Sequence, residues 1–264
     1  MQKFKEKNKT SIYLVSLDED IQRRETLEKS FPLYYPKIIK VSAVDGRKIT
    51  AKSYYNSIIN TYHTTNKLLS PAELGCTLSH IKALKEFLES DNEYALILED
   101  DVMGNDNNID KIFSLAQNIS SNTLLICGGQ EGLSGRKYQF GRISKMDGLV
   151  EVSPFSYRHV FRTCCYLVTK KSAKAIVDHQ GKNLTLADKW DVFFKGTDIK
   201  IYYKNILSHP KELVNSHIEQ DRAYLKSKTF YEKLLSKDIF KIVARKLFNE
   251  SQYILHKLKG YKSL

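Results

Sequence analysis

Residues 94–98 (YALIL) are apolar or aromatic without a break and are bounded by polar sequence, which predicts a strand buried on both faces, as in a parallel sheet. Runs of the same kind at 11–17, 37–44, 123–127 and 199–203 predict further strands, and 158–169 is a longer stretch of β-formers. Between the strands the apolar spacing turns helical. Ile21, Leu27 and Phe31 follow Asp18, Glu19 and Asp20, acids placed at the positive end of a helix. Strand, helix, strand implies a βαβ unit with parallel pairing and a right-handed crossover.

The clearest helix start is Ser70-Pro71-Ala72-Glu73, a capping box with proline at the first helical position. Leu74, Leu78, Ile81, Leu84 and Leu88 are expected to bury one side of that helix. Gly75, Ser79 and His80 lie on a neighbouring side, with Cys76 one turn before His80. A histidine in mid-helix is ordinarily a satisfied structural residue. Gly75, one turn before Ser79, permits close approach by another element or a ligand. Residues 47–69 read either as a short helix or as a loop over a site. A helix is expected over 109–119 and another from 170. Gly128-Gly129 closes a strand, as a plain turn or to admit a ligand. The Gly-, Ser- and charge-rich stretch 130–157 reads as a long, mostly irregular functional loop.

The strand at 94–98 ends in Glu99, Asp100 and Asp101. Parallel strands open their ligand crevice at the C-terminal end, so these carboxylates fall where a substrate would bind. Three adjacent anions repel one another unless a cation offsets them, and hard oxygen donors suit Mg²⁺ or Mn²⁺. If the strand pleat continues, Glu99 and Asp101 share a face and Asp100 points away. A plain acidic turn is the competing reading. Arg23 and Arg24, in the first turns of the helix after the first strand, are either solvated charges or contacts to nucleotide phosphates. Asp188 and Asp191 flank Trp190, with Phe193 and Phe194 behind. A carboxylate in that aromatic setting could serve as a general base, although Asp188 also suits a helix cap.

Composition narrows the classes. With 264 residues, 42% hydrophobic and 27% charged, the chain can bury a substantial core and is not compositionally disordered. Its net charge of +12 is uneven: residues 222–264 carry eleven Lys or Arg against three acids. In that tail Tyr231, Leu235, Ile239, Ile242, Val243 and Leu247 form one stripe, and Lys233, Lys237, Lys241 and Arg245 another. A basic amphipathic helix of this kind fits an anionic membrane surface, with nucleic acid as a rival partner and packing on its own domain as a third reading. No apolar run approaches the roughly 18 residues of a spanning helix. The polar, lysine-rich start is not that of a signal peptide. Cys76, Cys127, Cys164 and Cys165 lack metal-site spacing, so reduced thiols in a cytosolic protein are expected and a zinc site is not.

Several segments together resemble glycosyltransferase family 25, the bacterial lipooligosaccharide galactosyltransferase group. They are IYLVSL at 12–17 with Arg23-Arg24, VSAVDG at 41–46, ELGCTLSH at 73–80, LEDDV at 98–102, and CYLVT at 165–169 followed by Lys171-Ser172-Ala173. They stand in the right order over residues 11–195. The resemblance implies a GT-A-like, Rossmann-type fold with a mostly parallel sheet, a UDP-sugar donor and transfer with inversion to a lipid-linked oligosaccharide acceptor. It implies donor contacts at Arg23, Arg24, Asp45, Ser79, His80, Glu99 and Asp100, and a divalent metal, Mn²⁺ or Mg²⁺, at Asp101 and Glu99. The first member of the acidic motif is Glu where the family more commonly has Asp. Asp188, then Asp191, are the base candidates. On this reading residues 1–221 form the transferase domain and 222–264 a tail holding the enzyme to the inner face of the cytoplasmic membrane. A nucleotidyltransferase or phosphohydrolase using the same carboxylates, a non-catalytic nucleic-acid-binding protein, and a family member that binds donor without transferring it are the competing readings.

Overall fold

The computed structural model describes residues 10–65, 68–145, 148–210 and 239–264. In chain order the elements are β1 (Thr10–Ser16), α1 (Ile21–Ser30), β2 (Ile39–Ser42), α2 (Ala51–Thr65), α3 (Pro71–Glu89), β3 (Tyr94–Glu99), α4 (Asp106–Ala116) and β4 (Thr123–Gly128). Then come β5 (Phe140–Ile143), β6 (Val150–Val152), β7 (Cys165–Thr169), α5 (Lys170–Lys182), α6 (Trp190–Phe193), β8 (Lys200–Leu207), α7 (Ile239–Leu258) and β9 (Lys262–Ser263). They build one mixed sheet in the order β2-β1-β3-β7-β4-β8-β6-β5-β9. The expected α/β architecture is present. β1 pairs in parallel with β2 and β3, β4 in parallel with β8, and β7 is inserted antiparallel between β3 and β4.

The two-residue period of the strands divides the core. Tyr13, Val15, Ala95 and Ile97 face α3, α5 and α6, packing with Phe87, Ala173 and Trp190. Ile12, Leu14, Leu96 and Leu98 face the other way and pack with Leu27, Phe31, Ile109 and Ile112 of α1, α4 and their ends. Helices on both faces explain why these strands read as unbroken apolar runs. The capping box of α3 forms as its sequence predicts, Ser70 Oγ accepting from Glu73 N and the Glu73 carboxylate from Ser70 N.

Four readings are narrowed or changed. Residues 51–65 are helical and no open loop. Only 165–169 of the long β-former run is strand, because Arg162 takes a left-handed backbone (φ 68°) that ends the pleat, and 154–159 coil into a 3₁₀ turn. Leu74 and Leu84 of α3 are buried as expected, but Gly75, Ser79, His80, Ala83 and Phe87 are buried as well, whereas Leu78, Ile81 and Leu88 are only half-buried. The fourth concerns the tail. Tyr231, Leu235, Lys233, Lys237 and the 221/222 boundary lie outside the described residues. Beyond them α7 packs on the domain through Phe248 against Phe155 and His256 against Phe140, and β9 pairs with β5.

Candidate active site

The tips of β1, β2 and β3 open onto a cleft of about 750 Å³, part of it solvent, lined by Ser16, Asp20, Arg23, the 43–47 turn, Cys76, Ser79, His80 and the acidic triplet. It sits at the C-terminal ends of parallel strands, where α/β sheets bind ligands. Two glycines make its floor. The backbones of α3 and the turn after β2 approach so closely that a Cβ on Gly75 would lie 2.5 Å from both Gly46 N and Val44 O. Ser79 Oγ spans the junction, donating to Gly75 O at 2.7 Å and accepting from Val44 N at 2.8 Å.

β3 ends at Glu99, so pleat alternation does not continue into Asp100 and Asp101. They form a turn, and each carboxylate meets a different element. Glu99 Oε1 faces His80 Nε2 at 3.2 Å and accepts from Thr163 Oγ1. Burial alone would raise this carboxyl, but the His80 hydrogen bond and charge, Thr163 and the His209 charge outweigh it and hold it below the usual range. Asp100 accepts from Arg23 Nη1 at 3.0 Å, yet burial prevails and pushes its carboxyl up. Asp101 Oδ2 lies 3.4 Å from His209 Nε2 and 3.8 Å from Arg23 Nη1. Asp101 Oδ1 is buried with no hydrogen-bond partner among the described residues.

Of the donor-contact candidates, Arg23, Asp45, Ser79, His80, Glu99 and Asp100 therefore line one cleft. Arg24 does not join them. Its guanidinium is spent on Ser16 Oγ and the carbonyls of Leu17 and Asp18, which fasten the start of α1 to the end of β1. Asp45 is clamped by Arg47, whose hydrogen bond outweighs burial and lowers its carboxyl to about 2. Asp188 and Asp191 are separate. Asp188 Oδ2 accepts from Arg162 N at 3.0 Å and acts electrostatically on Cys76 in the cleft, while Asp191 acts on His159. Asp191 Oδ1 is buried without a hydrogen-bond partner.

Sequence reasoning missed His209, Thr163, Tyr166 and Cys76. His209 follows β8 and is set beside the triplet by the Met103–Ser208 bridge, its Nδ1 donating to Pro210 O at 2.8 Å. Cys76 has the one signal that was available: it precedes His80 by four residues, one helical turn, and the fold brings both to Glu99. A divalent cation fits this donor set. Glu99 and Asp101 offer hard oxygens, and the unpartnered Asp101 Oδ1 is a buried acceptor with capacity to spare.

The family model for glycosyltransferase family 25 (LPS biosynthesis protein) matches residues 9–192. A curated relative, a glycosyltransferase 25 family member from Anopheles gambiae, is 28% identical over 98 residues, which cover 34% of this chain and 16% of that relative's length. Among solved structures, mannose-1-phosphate geranyltransferase from Thermus thermophilus aligns with a TM-score of 0.41 at 11% identity, over 76% of this chain and 75% of its own. Inositol-1-phosphate CTP transferase from T. maritima aligns at 0.42 and 11%, over 86% and 99%. Likeness this slight assigns no activity. The family match is another matter, for it runs from β1 into α6 and takes in every cleft residue named above except His209: the chain belongs to glycosyltransferase family 25.

Proposed function

We propose that this chain is an inverting glycosyltransferase that moves a hexose, galactose before glucose, from a UDP-sugar to a lipooligosaccharide or lipopolysaccharide acceptor. The observation that carries the reading is the meeting of Arg23, Asp45, His80 and three carboxylates in one cleft at the tips of β1 and β3, within the segment that matches the family. Glu99 and Asp101, with His209 beside them, would hold Mn²⁺ or Mg²⁺, and such an ion when bound supplies positive charge against the departing diphosphate. The protein's own groups do the remainder. Arg23 and the turn at 43–47 bind and orient the nucleotide. A carboxylate takes the proton from the attacking acceptor hydroxyl, with Asp188 as first candidate for that role and Asp191 as second.

Isothermal titration of UDP-galactose, UDP-glucose and UDP-N-acetylglucosamine, with and without Mn²⁺, tests this on the wild type and on Asp101→Ala. Metal-dependent binding of one donor, lost in the variant, is expected. Failure of all three donors to bind would refute it and turn attention to nucleotide enzymes that need no sugar acceptor.

The same reading places α7 against an anionic membrane at the cytoplasmic side, near a lipid-linked acceptor. Val243, Leu247, Ile254 and Leu258 recur along one side of α7 and are 49, 67, 57 and 80% exposed, and Lys246 and Lys257 flank that stripe on one side. Among the described residues no helix is long and apolar enough to cross a membrane, so this would be surface contact. Truncation after residue 222 would also remove β9 from the sheet, so point variants are the better probe. Leu247→Asp with Leu258→Asp should abolish co-sedimentation of the full chain with phosphatidylglycerol vesicles; undiminished binding would refute the contact.

A further inference from the structure

Glu99 belongs to two donor sets. One is the oxygen set it forms with Asp101. The other is Cys76 Sγ, a ring nitrogen of His80 and a carboxylate oxygen of Glu99, which all lie within 4.8 Å of one another. All three residues line the cleft, so an ion held by them would keep its remaining coordination position toward solvent and ligand.

From this geometry we infer a second metal-binding mode in the cleft, in which Cys76, His80 and Glu99 hold a borderline-soft dication such as Zn²⁺ in place of the oxygen-loving ion. Thiolate, imidazole and carboxylate together are a zinc-type donor set and a poor one for Mg²⁺. Bond lengths of about 2.0–2.3 Å in a tetrahedral site require ligand atoms roughly 3.3–3.6 Å apart. His80 Nε2 and Glu99 Oε1, at 3.2 Å, already stand just short of that separation. Cys76 Sγ, one turn before His80 on α3 and within 4.8 Å of the other two ligand atoms, has to move closer to complete the set.

The imidazole is also held from behind. Its Nδ1 lies 3.0 Å from Tyr166 Oη, in a fully buried contact. Two proton arrangements satisfy this pair. Either Tyr166 donates to Nδ1 and Nε2–H donates to Glu99, or Nδ1–H donates to Tyr166 and the Nε2 lone pair faces the carboxylate. The second leaves two acceptors face to face unless a cation sits between them. Metal entry selects it: the Cys76 thiol gives one proton to solvent, the His80 proton shifts from Nε2 to Nδ1, and Tyr166 turns from donor to acceptor. A hydrogen bond to the far nitrogen is the usual support of a metal-bound histidine. Because Glu99 is shared, Zn²⁺ held here competes for a ligand of the ion at Asp101, and Zn²⁺ weakens any step that needs the oxygen-bound ion.

Titration of the full chain with Co²⁺, followed by absorption, tests the inference without relying on catalysis or on the donor. A thiolate-to-cobalt charge-transfer band in the near ultraviolet is expected, saturating at one ion per chain and bleached by Zn²⁺. It should vanish in Cys76→Ser and persist in Asp101→Asn, and Tyr166→Phe should weaken Co²⁺ binding by about tenfold. Bound Co²⁺ with no such band, or a band unchanged in Cys76→Ser, would overturn it. Should Cys76→Ser fail to fold, X-ray absorption of the Zn²⁺-loaded wild type decides, since a sulfur neighbour at about 2.3 Å is required and a shell of nitrogen and oxygen alone refutes the site. Loss of UDP-sugar binding, measured separately, would bear on the proposed transfer and leave this band untouched.

Discussion

Replacing Gly75 by alanine separates two physical effects of opposite sign. In an exposed helix the change stabilises by about 1 kcal/mol, because alanine loses less conformational freedom than glycine on folding. Here the new methyl would stand 2.5 Å from Gly46 N, 2.5 Å from Val44 O and 2.9 Å from Gly46 Cα. All three are backbone atoms and cannot rotate aside, so α3 and the turn after β2 must part by roughly 1 Å, and overpacking of this kind costs about 1–3 kcal/mol. With the clash at the upper end, the net loss is about 2 kcal/mol, a fall in Tm of roughly 4–8 °C for a chain of this size. Gly181 in α5 supplies the control. A Cβ there meets nothing within 4 Å, so Gly181→Ala should raise Tm by about 1–3 °C. Thermal unfolding followed by circular dichroism measures both. The shift in Gly75→Ala should also stretch the Val44–Ser79 hydrogen bond and weaken donor binding. A Gly75→Ala protein that melts at or above the wild type would refute the close approach and, with it, the account of how the cleft floor is built.

Three further outcomes follow from the same structure. Ser70→Ala removes the cap of α3 and should cost about 1 kcal/mol in urea unfolding; an unchanged midpoint would mean the capping box contributes nothing. Burial, helped by Arg158, lowers His159 from 6.5 to about 4, so the folded state disfavours its charged form. The corresponding stability is full above pH 6.5 and is lost as pH falls toward 4, so the drop in urea midpoint between pH 7 and pH 5 should shrink in His159→Phe, and an equal drop would refute the burial effect. Asp188→Asn retains an oxygen to accept the Arg162 N–H, so melting and donor binding should hold while transfer falls by about 10²–10⁴. Transfer at the wild-type rate would move the base assignment to Asp191.

The legible parts of this molecule were those in which neighbouring residues state their own structure. The unbroken run at 94–98 predicted a doubly covered strand, and Ser70, Pro71 and Glu73 predicted a helix start, because both signals are local. The acidic triplet falls at the cleft because strand ends in parallel sheets are ligand sites whatever the surrounding fold. The bonding of Arg24 and Ser79 was illegible for a complementary reason. Their charge and hydroxyl are used on carbonyls and amides whose positions depend on how β1, β2 and α3 pack, and no spacing rule reports that. His209 lies more than a hundred residues from Asp101 and reaches it only because β8 returns along the same sheet. The strand expected over 158–169 failed in its first seven residues: 158–159 end a 3₁₀ turn, and Arg162 adopts a backbone that propensity assigns to glycine, with its N–H held by Asp188.

The triplet is compensated by four parts of the chain in a way that divides labour among the carboxylates. Asp100 is the most buried of them and has Arg23 at 3.0 Å, so its charge is already answered by α1. Glu99 has His80 from α3 and Thr163 from the chain before β7. Among the described residues Asp101 receives longer contacts, 3.4 Å from His209 and 3.8 Å from Arg23, and its second oxygen has no hydrogen bond. Since attraction between charges weakens with distance, the carboxylate that would lose least by turning toward a new cation is Asp101, and the one that would lose most is Asp100. An incoming dication taken up by Asp101 therefore disturbs only the longer contacts from His209 and Arg23 and leaves the Arg23–Asp100 pair intact. The guanidinium is thereby kept on the cleft wall, where its charge faces the phosphates a nucleotide would bring.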